Sequence, residues 1–437
     1  MSKSKLSLFG GKKVINKPLK KYNSIGKEEL LATQKVVRSG VLSKFIGSSG
    51  DGFYGGEMVQ KFERDCEKYF KVKHALTVNS WTSGLIAAVG AIGIEPGDEV
   101  IVTPWTMCAT ATAILHWNGI PVFADIEPDT FNLCPNSIRR NISNKTKAIM
   151  VADIFGQSCD ISEIMKIARE NKLKVICDSA QSPGVLYKKK IAGTLADVGG
   201  FSLNYHKHIH TGEGGILVTN NSKIYERLAL IRNHAEAAVI GRKVKDLSNM
   251  VGYNFRLGEI EAAIGIEQLK KLKELVKNRQ EAAKYLTNKL QKLNFLKTPV
   301  ITKHNTHAFY IYPIILDIKN LRLKRSVIIK ALRAEGLNGI SEGYVNLHML
   351  PLFQKKIAFG KKGFPWNSEF CSRDISYSKG ICPIAEGLHD KTLITFEMCL
   401  FHLSKKDLDL IIKCFFKVWD NLESLRNKNV RNFYEKK

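Results

Sequence analysis

No C-x-x-C pair occurs among the nine cysteines of this 437-residue chain. They lie scattered at 66, 108, 134, 159, 177, 371, 382, 399 and 414, which speaks against a zinc ribbon or a disulfide frame and for reduced thiols in a cytoplasmic protein. No apolar run reaches the roughly 18–20 residues that a membrane span needs. The opening MSKSKLSLFGGKK is basic but has no apolar signal-peptide core. Neither a G-x-G-x-x-G after a strand nor a Walker A sequence is present, and the glycine-rich GSSGDGFYGG (47–56) follows no strand. Dinucleotide and P-loop readings are thereby excluded. Acidic residues are scarce: 41 Asp and Glu face 67 Lys and Arg, a net charge of +26. That balance favours anionic partners. The lysines nevertheless come in small separate groups (12–13, 20–21, 188–190, 355–356, 361–362), with no basic helix carrying interleaved aromatics. This is a solvated lysine-rich surface and not a nucleic-acid module.

From residue 74 the text alternates between short β-branched runs and helical stretches. HALTVN (74–79), EVIVTP (99–104), PVFADI (121–126), AIMVAD (148–153) and LKVICD (173–178) are the runs. Such βαβα punctuation predicts an α/β fold, a mostly parallel sheet sandwiched by helices. GGFSLN (199–204) and GGILVTN (214–220) predict two further strands, and 256–293 a long helix. FYIYPIIL (309–316), a helix near 324–335 and an amphipathic helix near 404–425 predict a smaller C-terminal α/β domain. The expected division is an arm over 1–45, a large domain over 46–290 and the small domain over 291–437.

Ligands of open α/β sheets sit at the carboxyl ends of the strands, which directs attention to the residues just past each run. Asp178 closes VICDSAQ, where a carboxylate serves equally as a helix N-cap. Asn79-Ser80-Trp81-Thr82-Ser83-Gly84 opens a helix and offers hydroxyls and free N–H groups for a phosphate. In FSLNYHKHIHTGEGG (201–215), Lys207 stands among His206, His208 and His210. Three imidazoles at alternate positions could form a metal comb, or they are neighbours of a lysine whose amine does chemistry. A phosphate seat, a strand-end aspartate and a glycine-bounded lysine are together the parts of a pyridoxal phosphate site.

FSLNYHKHIHTGEGG resembles the F-S-F-x-x-x-K-x-x-x-x-G-E-G-G signature of the DegT-type sugar aminotransferases, pyridoxal-phosphate enzymes of fold type I. SGVLSKF, VNSWTSGL, GDEVIVTPWT, PVFADIEPDTFNL, DSAQSPG, VGYNFRLGEIEAAIG and CPIAEGL resemble further family segments in the family's order. The resemblance implies pyridoxal 5'-phosphate as cofactor, Lys207 as its Schiff-base lysine and Asp178 as partner of the pyridinium nitrogen. It implies Gln181 beside the cofactor hydroxyl, and Ser202 with the backbone of Trp81 and Thr82 at the phosphate. It places Asn254 across a homodimer interface, at the partner's phosphate. The expected reaction moves an amino group from glutamate or glutamine to a keto group of a nucleotide-linked sugar, for amino-sugar and surface-polysaccharide synthesis, with no metal and no nucleic acid. A glutamine-dependent aminotransferase acting on a cyclitol or aminohydroxybenzoate precursor would keep the same residues. The resembling sugar dehydratases carry histidine where Lys207 stands. Two positions depart from the family pattern. The ring-stacking position falls on Met107, with Trp105 nearby as the other candidate. Trp81 replaces a small residue, and its side chain is expected to narrow the pocket.

Overall fold

The computed structural model describes residues 4–427. Its seven-stranded sheet has the order His74–Val78, Gly215–Thr219, Val198–Ser202, Lys174–Asp178, Thr146–Ala152, Glu99–Val102, Ile120–Phe123. Only Gly215–Thr219 runs antiparallel to its two neighbours; the other pairings are parallel. Near-continuous burial of these strands fits a sheet covered on both faces. Because the parallel strands point one way, Asp178 and Ser202 finish at the same edge. The loop carrying Lys207 leaves from there too.

The C-terminal part holds a four-stranded antiparallel sheet ordered Leu296–Lys297, Tyr312–Leu316, Leu393–Phe396, Ile340–Ser341. The helix Glu259–Leu290 joins two apolar clusters: Ala262 and Leu269 pack with Val59, Phe62 and Phe201, Leu286 and Leu290 with the second sheet. Leu6, Ile15 and Leu19 of the N-terminal segment also belong to this second core. Leu347, Phe353, Trp366 and Tyr377, by contrast, return to the core of the large sheet.

Three elements differ from their sequence pattern. The run 309–316 becomes strand only at Tyr312, because Phe309 adopts φ +48° and turns the chain before it. The run 121–126 ends at Phe123. The terminal helical stretch is two helices, Lys405–Asp420 and Leu422–Asn427, divided at Asn421.

Beneath the sheet edge lies a buried ion pair. Arg232 Nη1 donates to Glu63 Oε1 at 2.6 Å and to the carbonyl of Thr77 at 3.1 Å, while Glu63 Oε1 also accepts from the N–H and hydroxyl of Thr77. This contact ties two helices to the strand His74–Val78. Glu63→Gln leaves the guanidinium uncompensated and is expected to destabilise the protein by about 3 kcal/mol. Asp65→Asn breaks only the exposed Lys61–Asp65 pair and is expected to cost less than about 0.5 kcal/mol. Urea denaturation of both variants measures the difference.

Candidate active site

The strand Lys174–Asp178 delivers its terminal carboxylate into a cleft at the sheet edge. Asp178 is 5% exposed and accepts three hydrogen bonds. Trp81 Nε1 donates to Oδ1 at 2.7 Å, the backbone N–H of Ala180 to Oδ1 at 3.1 Å, and Thr110 Oγ1 to Oδ2 at 2.7 Å. A carboxylate offers about four acceptor positions, so one remains uncommitted, on Oδ2. The turn after the strand is held by Asp153, whose Oδ2 accepts from Ser179 Oγ at 2.6 Å and whose carbonyl accepts from Ser182 Oγ at 2.8 Å. Burial raises the Asp153 carboxyl above the ordinary range, opposed by the bonds from Ser179 Oγ and the N–H of Cys159.

The helix Trp81–Ala91 starts at Ser80, whose hydroxyl accepts from the N–H of Ser83 at 3.1 Å. The N–H groups of Trp81 and Thr82 meet no backbone or side-chain acceptor among the described residues. They are the orphan donors of a helix start, aimed where an anion is stabilised. Ser202, 6% exposed, ends the strand Val198–Ser202 beside them.

Lys207 is 8% exposed. Its Nζ lies 3.3 Å from Tyr310 Oη and 4.3 Å from the centre of that ring. Burial pulls the amine down from 10.5 to about 8, against the opposing pull of Asp178. Burial likewise pushes the Tyr310 phenol well above its ordinary value, so it stays protonated. Gln181 Oε1 accepts from the N–H of Phe155 at 2.7 Å and its Nε2 donates to Tyr344 Oη at 2.8 Å, leaving one amide N–H uncommitted.

Lys207, Asp178, Gln181, Ser202, Trp81, Thr82 and Met107 thus line one cleft of about 220 Å³. Asn254 does not line it. This residue is exposed, and its carbonyl accepts from Asn79 Nδ2 at 3.3 Å. Met107 reaches the cleft at 61% exposure, whereas Trp105 is fully buried and donates to Asn346 Oδ1 at 2.7 Å. Trp105 thus lies outside the cleft. The expectation that the Trp81 side chain narrows the pocket is corrected too: the indole turns back onto Asp178, into space left by Gly84 and Gly200. The three histidines diverge. His206 lines the cleft, pulled down to about 4 by burial and the Lys207 charge. His208 donates from Nε2 to the carbonyl of Ala308, and His210 accepts from the N–H of Gly212. A metal comb along one face does not form.

Sequence reasoning missed Thr110, Asp153, Tyr310 and Tyr344. Thr110 carried a weak signal, a hydroxyl one turn beyond Thr106, to which it is bonded at 2.9 Å. Tyr310 and Tyr344 come from more than a hundred residues away, and no local pattern marks them.

A cleft that pairs a depressed amine with a strand-end carboxylate and orphan helix N–H groups fits pyridoxal 5'-phosphate, and the sheet order is that of fold type I. The architecture is shared with solved enzymes. An aminotransferase from Psychrobacter cryohalolentis superposes with a TM-score of 0.79 at 24% identity, covering 93% of this chain and 100% of that one. Helicobacter pylori PseC, an aminotransferase of pseudoaminic acid biosynthesis, gives 0.75 at 25%, covering 93% and 100%. The sequence model of the DegT/DnrJ/EryC1/StrS aminotransferase family matches residues 42–390, and the chain belongs to that family of pyridoxal-phosphate-dependent enzymes. Among its relatives, the spore coat polysaccharide biosynthesis protein SpsC of Bacillus subtilis is 32% identical, over 80% of this chain and 89% of its own. GDP-perosamine synthase of Caulobacter vibrioides is 34% identical, over 68% and 78%.

A buried amine with a lowered proton affinity has a stability signature. Below pH 8 the native state must keep a charge out of water. As pH rises from about 8 to 10.5 the native amine loses its proton before the unfolded one does, and stability rises. Lys207→Met apoprotein is therefore expected to melt above wild-type apoprotein at pH 7, with the gap narrowing across that window. Calorimetry at pH 7, 9 and 10.5 measures it.

Proposed function

We propose that the protein transfers an amino group from glutamate or glutamine to a keto group of a nucleotide-linked sugar, in amino-sugar synthesis for a surface polysaccharide. The observation that carries this reading is Lys207, a buried amine with a depressed proton affinity at the cleft that also holds Asp178. Relatives named for GDP-perosamine synthesis and spore coat polysaccharide support the substrate class. An amine at position 207 favours transfer over dehydration, because deprotonated Nζ is a base and nucleophile near neutral pH. The protein acts in the cytoplasm; among the described residues no helix is long and apolar enough to cross a membrane.

Pyridoxal 5'-phosphate, held through its aldehyde, supplies the electron sink that acidifies the α-C–H of the amino group it carries. The chain supplies the rest. The N–H groups of Trp81 and Thr82 and the hydroxyl of Ser202 bind the phosphate. The open acceptor of Asp178 Oδ2 receives the ring N–H and keeps it protonated. The uncommitted N–H of Gln181 bonds the ring hydroxyl, and Met107 covers the ring with its polarizable thioether. Lys207 Nζ takes the α-proton from the donor and delivers a proton in the acceptor half, with Tyr310 Oη holding the amine in line. Asn254, exposed on its own chain, completes the phosphate site of a second protomer in a homodimer.

Borohydride treatment of wild-type holoenzyme is expected to fix the cofactor to Lys207, and Lys207→Ala to leave no adduct by mass spectrometry. An adduct on another lysine refutes the assignment. Asp178→Asn keeps shape and capping but removes the charge; turnover is expected to fall by at least about a hundredfold, with melting temperature close to wild type. A lowered melting temperature with normal turnover would leave Asp178 a helix cap only.

Mixing Asn254→Ala with Lys207→Ala chains tests the shared site. If Asn254 serves the partner, each heterodimer has one site with both lesions and one with neither, by two-fold symmetry. About half of wild-type activity per heterodimer is then expected to return. No recovery from two impaired parents places Asn254 within its own site, and an unimpaired Asn254→Ala removes it altogether.

A further inference from the structure

We infer that the Trp81 side chain is a positioning residue for the ring-nitrogen end of the cofactor, while its backbone serves the phosphate end. The inference rests on the reading of Asp178 given above. The indole N–H reaches Asp178 Oδ1 at 2.7 Å, and Trp81 is 6% exposed. Its place in the fold is a built slot. A Cβ on Gly200 would stand 2.3 Å from the indole Cζ3, and one on Gly84 would stand 2.9 Å from Cε3. A Cβ on Gly215 would meet the Trp81 Cα at 2.9 Å. Three glycines, from the helix and two strands, leave the space that this one side chain and its backbone fill.

The consequence is electrostatic and geometric. With Trp81 and Ala180 on Oδ1 and Thr110 on Oδ2, the carboxylate cannot rotate without breaking short bonds, and its open acceptor is confined to Oδ2. A carboxylate fixed in this way would present its open acceptor in one direction, toward the ring N–H. A tryptophan does this rigidly, because its donor sits on a two-torsion side chain wedged in the slot. Since Trp81 is also the first residue of the helix, the same residue fixes the separation between the phosphate donors and the carboxylate.

Trp81→Phe keeps an aromatic ring in the slot and removes the N–H. In the holoenzyme, the pH midpoint of the cofactor's visible band is expected to move upward, because weaker ring protonation relieves repulsion of the neighbouring proton. Pyridoxal 5'-phosphate is expected to bind about tenfold more weakly by equilibrium dialysis, because the carboxylate that would meet the ring N–H is less well held. The apoprotein melting temperature is expected to fall by no more than a few degrees, the cost of one donor lost from a buried carboxylate. An unchanged midpoint and unchanged affinity would overturn the inference and make the indole packing alone. If Trp81→Phe does not fold, 3-benzothienylalanine at position 81, which keeps the bicyclic shape without the N–H, is read by the same two measurements. Wild-type protein without a visible band on Lys207 would instead refute the proposed function, so the two failures are distinct.

Discussion

A carboxylate removed from water has to be met by donors on all sides, and Asp178 is where this demand organises the molecule. Its three donors come from three elements: the start of the helix Trp81–Ala91, the helix Ala109–Leu115 and the turn after its own strand. Each is held at the sheet edge by a bond that would leave a buried charge unpaired if broken, a penalty larger than the worth of the bond itself. The parallel strands supply the direction, because their carboxyl ends share one edge. The carboxylate fixes what gathers there.

Lys207 is the opposing half of the same constraint. Placing an amine where water is scarce lowers its proton affinity, and Asp178 limits the drop. The phenol of Tyr310 is a partner that the amine can keep in either protonation state, since a hydroxyl both accepts and donates. Tyr310 comes from just before the first long strand of the second sheet, and Tyr344 from just after its short strand Ile340–Ser341. The C-terminal part is thereby a wall of the site as well as a fold of its own. The helix Glu259–Leu290 links the apolar cluster of the second sheet to the one that packs against Phe201 and Ile216 of the large sheet.

The positive charge of the chain plays a smaller part. Many of the lysines that form ion pairs do so at exposed positions, such as Lys270 with Glu267 and Lys379 with Asp390, where pairing adds little. The buried cations are placed differently. Arg232 meets Glu63, and Lys417 meets Glu335 at 2.8 Å, each joining segments distant in sequence.

Much of the site was legible in the text because its residues sit at fixed offsets from strand ends. A five-residue strand with an apolar centre that closes in aspartate delivers that side chain to the sheet edge, and a glycine-bounded loop after the next strand brings Lys207 to the same edge. Local pattern also located most strands and the long helix, since periodicity and turn residues act over a few positions. What the sequence alone could not decide was every contact between segments that no local rule connects. Trp105 and Met107 are two residues apart with similar prospects, and only the buried acceptor Asn346, 241 positions away, draws one inward and leaves the other at the cleft. Trp81 read as an obstruction until Gly84 and Gly200 were brought around it. Tyr310 gave no sign at all. The strand ends follow from short-range stereochemistry, which each segment carries in itself; the partners of Trp105, Trp81 and Lys207 follow from close packing of the whole chain, which exists only once it has folded.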